Sequence, residues 1–384
     1  MPPKTVKKQN TINLDMLRKE LKGEVIDLDE SYEYFLTGNP IFDAYIGSGG
    51  FPKYQLEYIW ASSSIGKSTL AIQILASYLK QNTNSIVVYL DSEESVTKQR
   101  LSMLGVDYTK VLITNPTSIE TVKELIDKIR TSYNVDIFMI WDTLIQTPSK
   151  EETEGYSKIG MQARSFSTLF KTLRFYDSKL TMFALNQHRE NMQGQYMPPD
   201  PPGGNAVKHK SFLTLYGTSK KSELIEPEEG KITTFTTIKS KVISPKRKMA
   251  HVLTHVDGYD SILTTITYLK ENKLLGKRGG GYYHFIDEDK NYRLPELYKF
   301  FTTDESVPKW KMVINDIFTT LYPDDDIVFI TEAKDRILNY YFENDKFQFD
   351  RFTSLSKKFV TGNFVTNSDN EDDTIEELIN NIDE

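Results

Sequence analysis

The chain has no cysteine, which excludes disulfides and thiolate metal sites and predicts a reducing compartment. No apolar run reaches the roughly 18–20 residues that span a bilayer, and the start, Met1-Pro2-Pro3-Lys4-Thr5-Val6-Lys7-Lys8, has no apolar stretch of the secretion-signal kind. A cytoplasmic protein with no membrane partner is expected, in the host cytoplasm if the source is viral. Histidine is scarce, with five in 384 residues. His251 and His255 are four apart but fall in a β-like segment, so a solvated or packed histidine is expected rather than a helical metal pair. No internal repeat is visible. What remains is an ordinary globular composition, 39% apolar and 26% charged, with material for a substantial core.

Excess positive charge is also lacking, and a net charge of −7 taken alone argues against a nucleic-acid partner. The charge is unevenly spread. Residues 369–384 hold eight acids and no base, so subtracting this tail from −7 leaves +1 for the rest. Local patches therefore decide. The tail reads as disordered.

Short apolar runs alternate with helical periodicity through the middle of the chain. Strands are predicted over 56–60, 86–90, 111–114, 137–141 and 180–185, with helices over 67–79, 96–104, 119–132 and 159–176. This is the pattern of βαβ units and a mainly parallel, covered sheet. A turn is predicted over 47–52, and an amphipathic helix over 14–21. After Gly204 the texture becomes β-rich, as in 212–216 and 233–238, which predicts a partly antiparallel extension of the sheet. Lys277-Arg278-Gly279-Gly280-Gly281 interrupts the pattern. The expected divisions are an N-terminal segment (1–35), an α/β core (36–272), a small α+β C-terminal domain (273–364) and an acidic tail (365–384).

Between the first strand and its helix lies Ala61-Ser62-Ser63-Ser64-Ile65-Gly66-Lys67-Ser68-Thr69. Strand, loop and helix N-terminus are the context in which backbone N–H groups cradle phosphates. The spacing assigns Ser62, Ser63, Ser64, Ile65, Gly66, Lys67, Ser68 and Thr69 to ATP, with Lys67 bridging the β- and γ-phosphates and Ser68 on Mg²⁺. The usual first glycine is Ala61, which the turn tolerates only at negative φ. Asp142 ends an apolar strand, as a Mg²⁺ partner acting through water does. Glu93, after the second strand, can polarise the attacking water. Gln187, with Asn186, can sense the γ-phosphate. Each has a plainer alternative: a chance Gly-Lys-Ser, a turn aspartate, a solvated acidic loop.

In order along the chain, Thr37-Gly38-Asn39-Pro40-Ile41-Phe42-Asp43, the phosphate loop, Tyr89-Leu90-Asp91-Ser92-Glu93-Glu94 and Met103-Leu104-Gly105-Val106-Asp107 are followed by Asn186-Gln187, Pro201-Pro202-Gly203-Gly204-Asn205-Ala206-Val207-Lys208 and Lys239-Ser240-Lys241-Val242-Ile243-Ser244-Pro245. This series resembles the RecA recombinases, especially the phage versions of the UvsX type, over about residues 37–285. The resemblance implies a RecA-like phosphate-loop ATPase core with a short N-terminal oligomerisation segment. It makes Glu93 the catalytic glutamate and Gln187 the sensor coupling ATP to DNA. Lys239 and Lys241 match the pair that reaches ATP on a neighbouring subunit; a basic strand edge is the alternative. Two DNA loops are implied, at about 149–159 and between Gln187 and Val207. Ile159 and Arg164 match family DNA positions, with a helix staple and a solvated arginine as alternatives. In the second loop, Gly203, Gly204 and Asn205 would let backbone approach phosphates, and Arg189 and Lys208 would supply charge. The family's adenine-stacking aromatic is Arg100 here, and a guanidinium also stacks on a base. The basic run from Lys241 to Lys246-Arg247-Lys248 could touch DNA phosphates beyond its ATP role, with a solvated loop as the equal alternative.

These residues lead to an ATP- and Mg²⁺-dependent DNA strand-exchange recombinase that forms helical filaments on single-stranded DNA and engages double-stranded DNA. Loader and single-strand-binding proteins are possible partners. The acidic tail would compete with DNA for the basic groove. A ring helicase or clock-type ATPase of the same fold, and a non-hydrolysing filament or mediator protein, are the alternatives. A ring helicase would be expected to carry an arginine finger where Lys239 and Lys241 stand, and Glu93 with Lys67 argues against the non-hydrolysing reading.

Overall fold

The computed structural model describes residues 32–156, 160–187, 205–353 and 355–360. The chain divides into two units, residues 1–33, of which only Tyr32 and Glu33 are described, and residues 34–384. The second unit begins with β1 (Tyr34–Phe35), helix α1 (Pro40–Tyr45) and β2 (Phe51–Pro52), which pairs antiparallel with β1. Asn39 caps α1 by accepting the Phe42 N–H at 3.1 Å, and Pro40 starts the helix where no N–H partner is needed. The glycine-rich turn expected over 47–52 therefore closes in a short strand.

The chain then alternates through β3 (Leu56–Ala61), α2 (Lys67–Gln81), β4 (Ser85–Asp91), α3 (Lys98–Met103), β5 (Val111–Thr114), α4 (Ile119–Ser132) and β6 (Asp136–Asp142). It continues through α5 (Lys150–Thr153), α6 (Met161–Thr172), β7 (Leu180–Gln187), α7 (Ala206–Lys210), β8 (Leu213–Lys220), β9 (Gly230–Ser240), β10 (Lys248–Thr254) and β11 (Gly258–Asp260). Among the described residues, nine strands form one sheet in the order β11-β10-β9-β8-β3-β7-β6-β4-β5. From β8 to β5 the pairs are parallel; β9, β10 and β11 add antiparallel. The mixed α/β sheet is the one the pattern of apolar runs predicts.

Both faces are covered, so the central strands read as continuous apolar runs. Successive side chains still alternate. Ile59 of β3 and Phe138 and Ile140 of β6 enter the core beneath α2, with Leu70 and Ile74. Tyr58, Trp60, Met139 and Trp141 enter the opposite core, with Val122 of α4 and Phe166 of α6. Two helices are shorter than the periodicity suggests. Helix α3 starts only at Lys98 because the Asp91 carboxylate binds the N–H groups of Ser95 and Val96, and Thr97 is the N-cap. Helix α6 stops at Thr172, where Leu173 takes extended angles and is buried with Phe175.

Beyond the sheet come α8 (Ser261–Glu271), the hairpin β12 (Leu275–Arg278) and β13 (Tyr282–Phe285), then α9 (Leu294–Phe300), α10 (Val307–Leu321), α11 (Ile327–Tyr341) and α12 (Lys357–Val360). The three glycines, 279–281, are the hairpin tip. Trp310 and Ile314 of α10 and Tyr341 of α11 share one core with Phe42 and Phe235. A polar link crosses the same region: the Tyr341 hydroxyl donates to Asp43 at 2.6 Å. Burial pushes the Asp43 carboxyl up to about 7, against the hydrogen bonds from Tyr341 and Thr37. His251 is a packed residue, with its ring among Phe42, Tyr45 and Phe235, and burial lowers its pKa to about 3.

Candidate nucleotide site

The loop between β3 and α2 is shaped by the strands beside it. Ala61 ends β3 in strand backbone, in register with Gln187 of β7 and Gly217 of β8. A Cβ on Gly217 would lie 2.4 Å from Ile65 Cδ1 and 3.3 Å from Ala61 Cβ. Glycine across the ladder thus makes room chiefly for the Ile65 side chain and leaves the Ala61 methyl uncrowded. Ser64 and Gly66 have φ of 61° and 98°, and a Cβ at Gly66 would lie 2.5 Å from Leu253 Cδ2. Glycine is required at position 66 on both counts. Two loop carbonyls are held from outside. That of Ser64 accepts from Lys231 Nζ at 2.5 Å; that of Ile65 accepts from Thr233 Oγ1 at 2.9 Å and Tyr259 OH at 3.0 Å.

Lys67 opens α2 and is 5% exposed. Its ammonium donates to the carbonyls of Ala61 at 3.4 Å and Ser62 at 2.8 Å. Burial pushes its pKa down, while Asp142 and Glu93 pull it back up. Asp142 ends β6 with no exposure. Its Oδ2 accepts from Tyr89 OH at 2.8 Å, and its buried Oδ1 has no hydrogen-bond partner. Burial raises its carboxyl above the usual range; Ser68 and Tyr89 act the other way.

Glu93 lies just beyond β4. Its Oε1 accepts from Thr143 Oγ1 at 3.0 Å and from Gln187 Nε2 at 2.5 Å. The Asp142–Thr143 peptide is cis. Arg100 donates to Thr69 Oγ1 and to the carbonyls of His255 and Val256, each at 3.1 Å. Its guanidinium ties α3 to the head of α2 and to the turn after β10. Ser64, Gly66, Lys67, Ser68, Thr69, Glu93, Arg100, Asp142 and Gln187 line one cleft of about 320 Å³, with Thr143, Lys231 and His255. Ser62 and Ser63 adjoin it in the loop, and the Ile65 side chain is buried against Gly217.

Lys239 and Lys241 are elsewhere. Leu213 of β8 pairs with both Ser240 and Glu57, at the opposite end of β3 from Ala61. Four residues of strand, about 13 Å, separate the two ends. Lys239 Nζ donates to the carbonyls of Lys208 at 2.9 Å, His209 at 2.6 Å and Ser211 at 2.7 Å, closing the C-terminus of α7. Lys241 Nζ reaches Gln55 Oε1 at 3.5 Å. Burial lowers the pKa of both lysines, and Glu57, buried beneath them, offsets this.

Of the residues expected to meet DNA, Arg164 is exposed in the first turn of α6, and Asn205 is the exposed N-cap of α7. Lys208 lies 5.9 Å over the ring of Trp60. Ile159, Arg189, Gly203 and Gly204 lie outside the described residues, as does the helix expected over 14–21.

Sequence reasoning missed Thr143, Lys231, Thr233 and Tyr259. Thr143 had a signal, its place directly after Asp142. The other three arrive through sheet register, which local spacing does not reveal.

Comparison with known proteins gives two findings. A family model described as the RecA N-terminal domain matches residues 12–260. Protein RecA of Malacoplasma penetrans is 28% identical over 291 residues, covering 73% of this chain and 87% of that protein. Protein RecA of Bacteroides thetaiotaomicron is 29% identical over 279 residues, covering 69% and 83%. For Protein RecA of Lactococcus lactis subsp. cremoris the values are 27% over 291 residues, 72% and 74%. No helix among the described residues is long and apolar enough to cross a membrane.

Proposed function

This chain belongs to the RecA family of recombinases, and on that footing we propose that it is a DNA-dependent ATPase that polymerises on single-stranded DNA and exchanges strands with a homologous duplex. The observation that carries the reading is the Glu93 carboxylate, held by Gln187 and Thr143 in the same cleft as Lys67 and Asp142. Residues 62–69 would hold the phosphates of ATP. The orphaned Oδ1 of Asp142 beside Ser68 fits a hydrated Mg²⁺, an ion that usually takes few protein ligands. Magnesium, when bound, neutralises charge on the phosphates.

The protein's own groups supply the rest. Lys67 would turn its ammonium from the loop carbonyls to the β- and γ-phosphates. Glu93 would orient the attacking water and accept its proton. Gln187, at the end of β7 where the second DNA loop begins, would exchange Glu93 for the γ-phosphate and so report nucleotide state to that loop. Lys239 and Lys241 lie too far from their own phosphate loop to serve it, which favours a role on a neighbouring protomer's nucleotide. ATP would then join successive protomers of a filament. Residues 1–35 would serve oligomerisation, 36–272 the motor and 273–364 the small C-terminal domain. Arg164, Asn205 and Lys208 remain our candidates for DNA contact.

One experiment tests the reading: ATP hydrolysis with and without single-stranded DNA, alongside negative-stain imaging. DNA-stimulated hydrolysis and helical filaments are expected. Closed rings, or hydrolysis indifferent to DNA, would overturn it.

A further inference from the structure

The phosphate loop is gripped by a lysine that loop spelling does not announce. Lys231 is the second residue of β9, two strands from β3, and extends its side chain to the Ser64 carbonyl at 2.5 Å. Two residues on, and therefore on the same face of β9, Thr233 holds the Ile65 carbonyl. Within one peptide unit the C=O and the following N–H point in opposite directions. Holding the carbonyls of Ser64 and Ile65 therefore fixes the two peptide planes whose N–H groups belong to Ile65 and Gly66. Ser64 is a non-glycine residue at φ 61°, a conformation that persists when its surroundings hold it.

Lys231 also lines the cleft itself. The Lys67 ammonium shares the cleft with two carboxylates, Asp142 and Glu93, which act on its charge. Arg100 directs its guanidinium to Thr69 and the turn after β10. A lysine ammonium has three donors, and the Ser64 carbonyl takes one.

We propose that Lys231 is a second phosphate-site cation, which sets the loop through the Ser64 carbonyl and offers its remaining donors to the polyphosphate of the nucleotide. This rests on the ATP-binding reading and adds a residue to it. Lys231 acts on binding and is not assigned a part in the chemical step.

The test compares the unsubstituted chain with Lys231→Met and Lys231→Arg, using fluorescent ATP, ADP and AMP analogues with Mg²⁺ and no DNA, with circular dichroism to verify folding. Lys231→Met should weaken ATP binding about tenfold and flatten its dependence on salt, while AMP binding changes little. Lys231→Arg should restore most of the loss. In steady state the loss should appear in KM rather than kcat. Unchanged ATP affinity in folded Lys231→Met would overturn the proposal and leave the ATP reading standing. Equal losses for ATP and AMP, without rescue by arginine, would also overturn it. Absence of ATP binding by the unsubstituted chain would overturn both.

Discussion

Gln187 donates its side-chain amide to Glu93 at 2.5 Å, on the same carboxylate oxygen that Thr143 occupies. The residue proposed to accept a proton is therefore bound to the end of β7. On the proposed reading, chemistry and signalling would meet at this one oxygen atom.

Glu93→Gln keeps the size and polarity of this side chain and removes its basicity. Hydrolysis should fall by about two to three orders of magnitude while ATP binding persists. Filaments should consequently remain assembled for as long as ATP is present, as seen by negative-stain imaging beside phosphate release. Normal turnover would mean that the base is another residue.

Gln187→Ala breaks the link and leaves Glu93 with Thr143. The ratio of DNA-stimulated to unstimulated hydrolysis should collapse toward one, with a smaller change in ATP affinity. A preserved ratio would assign the coupling to some other element.

Lys239→Ala removes the ammonium that closes the C-terminus of α7 through three carbonyls. Amide hydrogen exchange over 206–211 should quicken several-fold in the protomer without nucleotide, because the last turn of a helix depends on such partners. Unchanged exchange would show that α7 is held by other contacts.

Burial raises Asp43 to about 7 and Asp260 to about 6, each from 3.8. Between the unfolded and folded values the unfolded chain releases the proton and the folded chain keeps it, so stability falls as pH rises through that window. Asp43→Asn cannot ionise, and an amide can still accept from the Thr37 N–H and pair with the Tyr341 hydroxyl. The decline in Tm between about pH 5 and about pH 8 should be smaller in this variant. An identical decline would mean that Asp43 does not contribute to it.

The sheet was legible because its strands are buried on both faces: a run such as Ile137 to Trp141 has few other places to go. The parallel order was legible too, since helical stretches separate those runs. Lys67, Asp142 and Glu93 stand at strand ends or helix starts, where spacing in sequence becomes spacing in the cleft. Lys231 and Thr233 lie about 170 residues downstream of the loop and reach it through β8. No local pattern announces that. The ends of α3 and α6 escaped for another reason. Asp91 diverts two N–H groups before α3 can start, and Leu173 leaves α6 in extended backbone with its side chain buried. The arrangement of Lys239 was hidden as well, because the carbonyls it binds belong to backbone, which has no residue-type signature.

The pairing of Ala61 with Gly217 has a broader consequence. Gly217 leaves room for the Ile65 side chain and lies against Ala61, so the loop's packing depends on a residue more than 150 positions downstream. A Gly217→Ala change would press on Ile65 and Ala61 together. In this chain the room beside Ala61 and Ile65 comes from a glycine on the neighbouring strand.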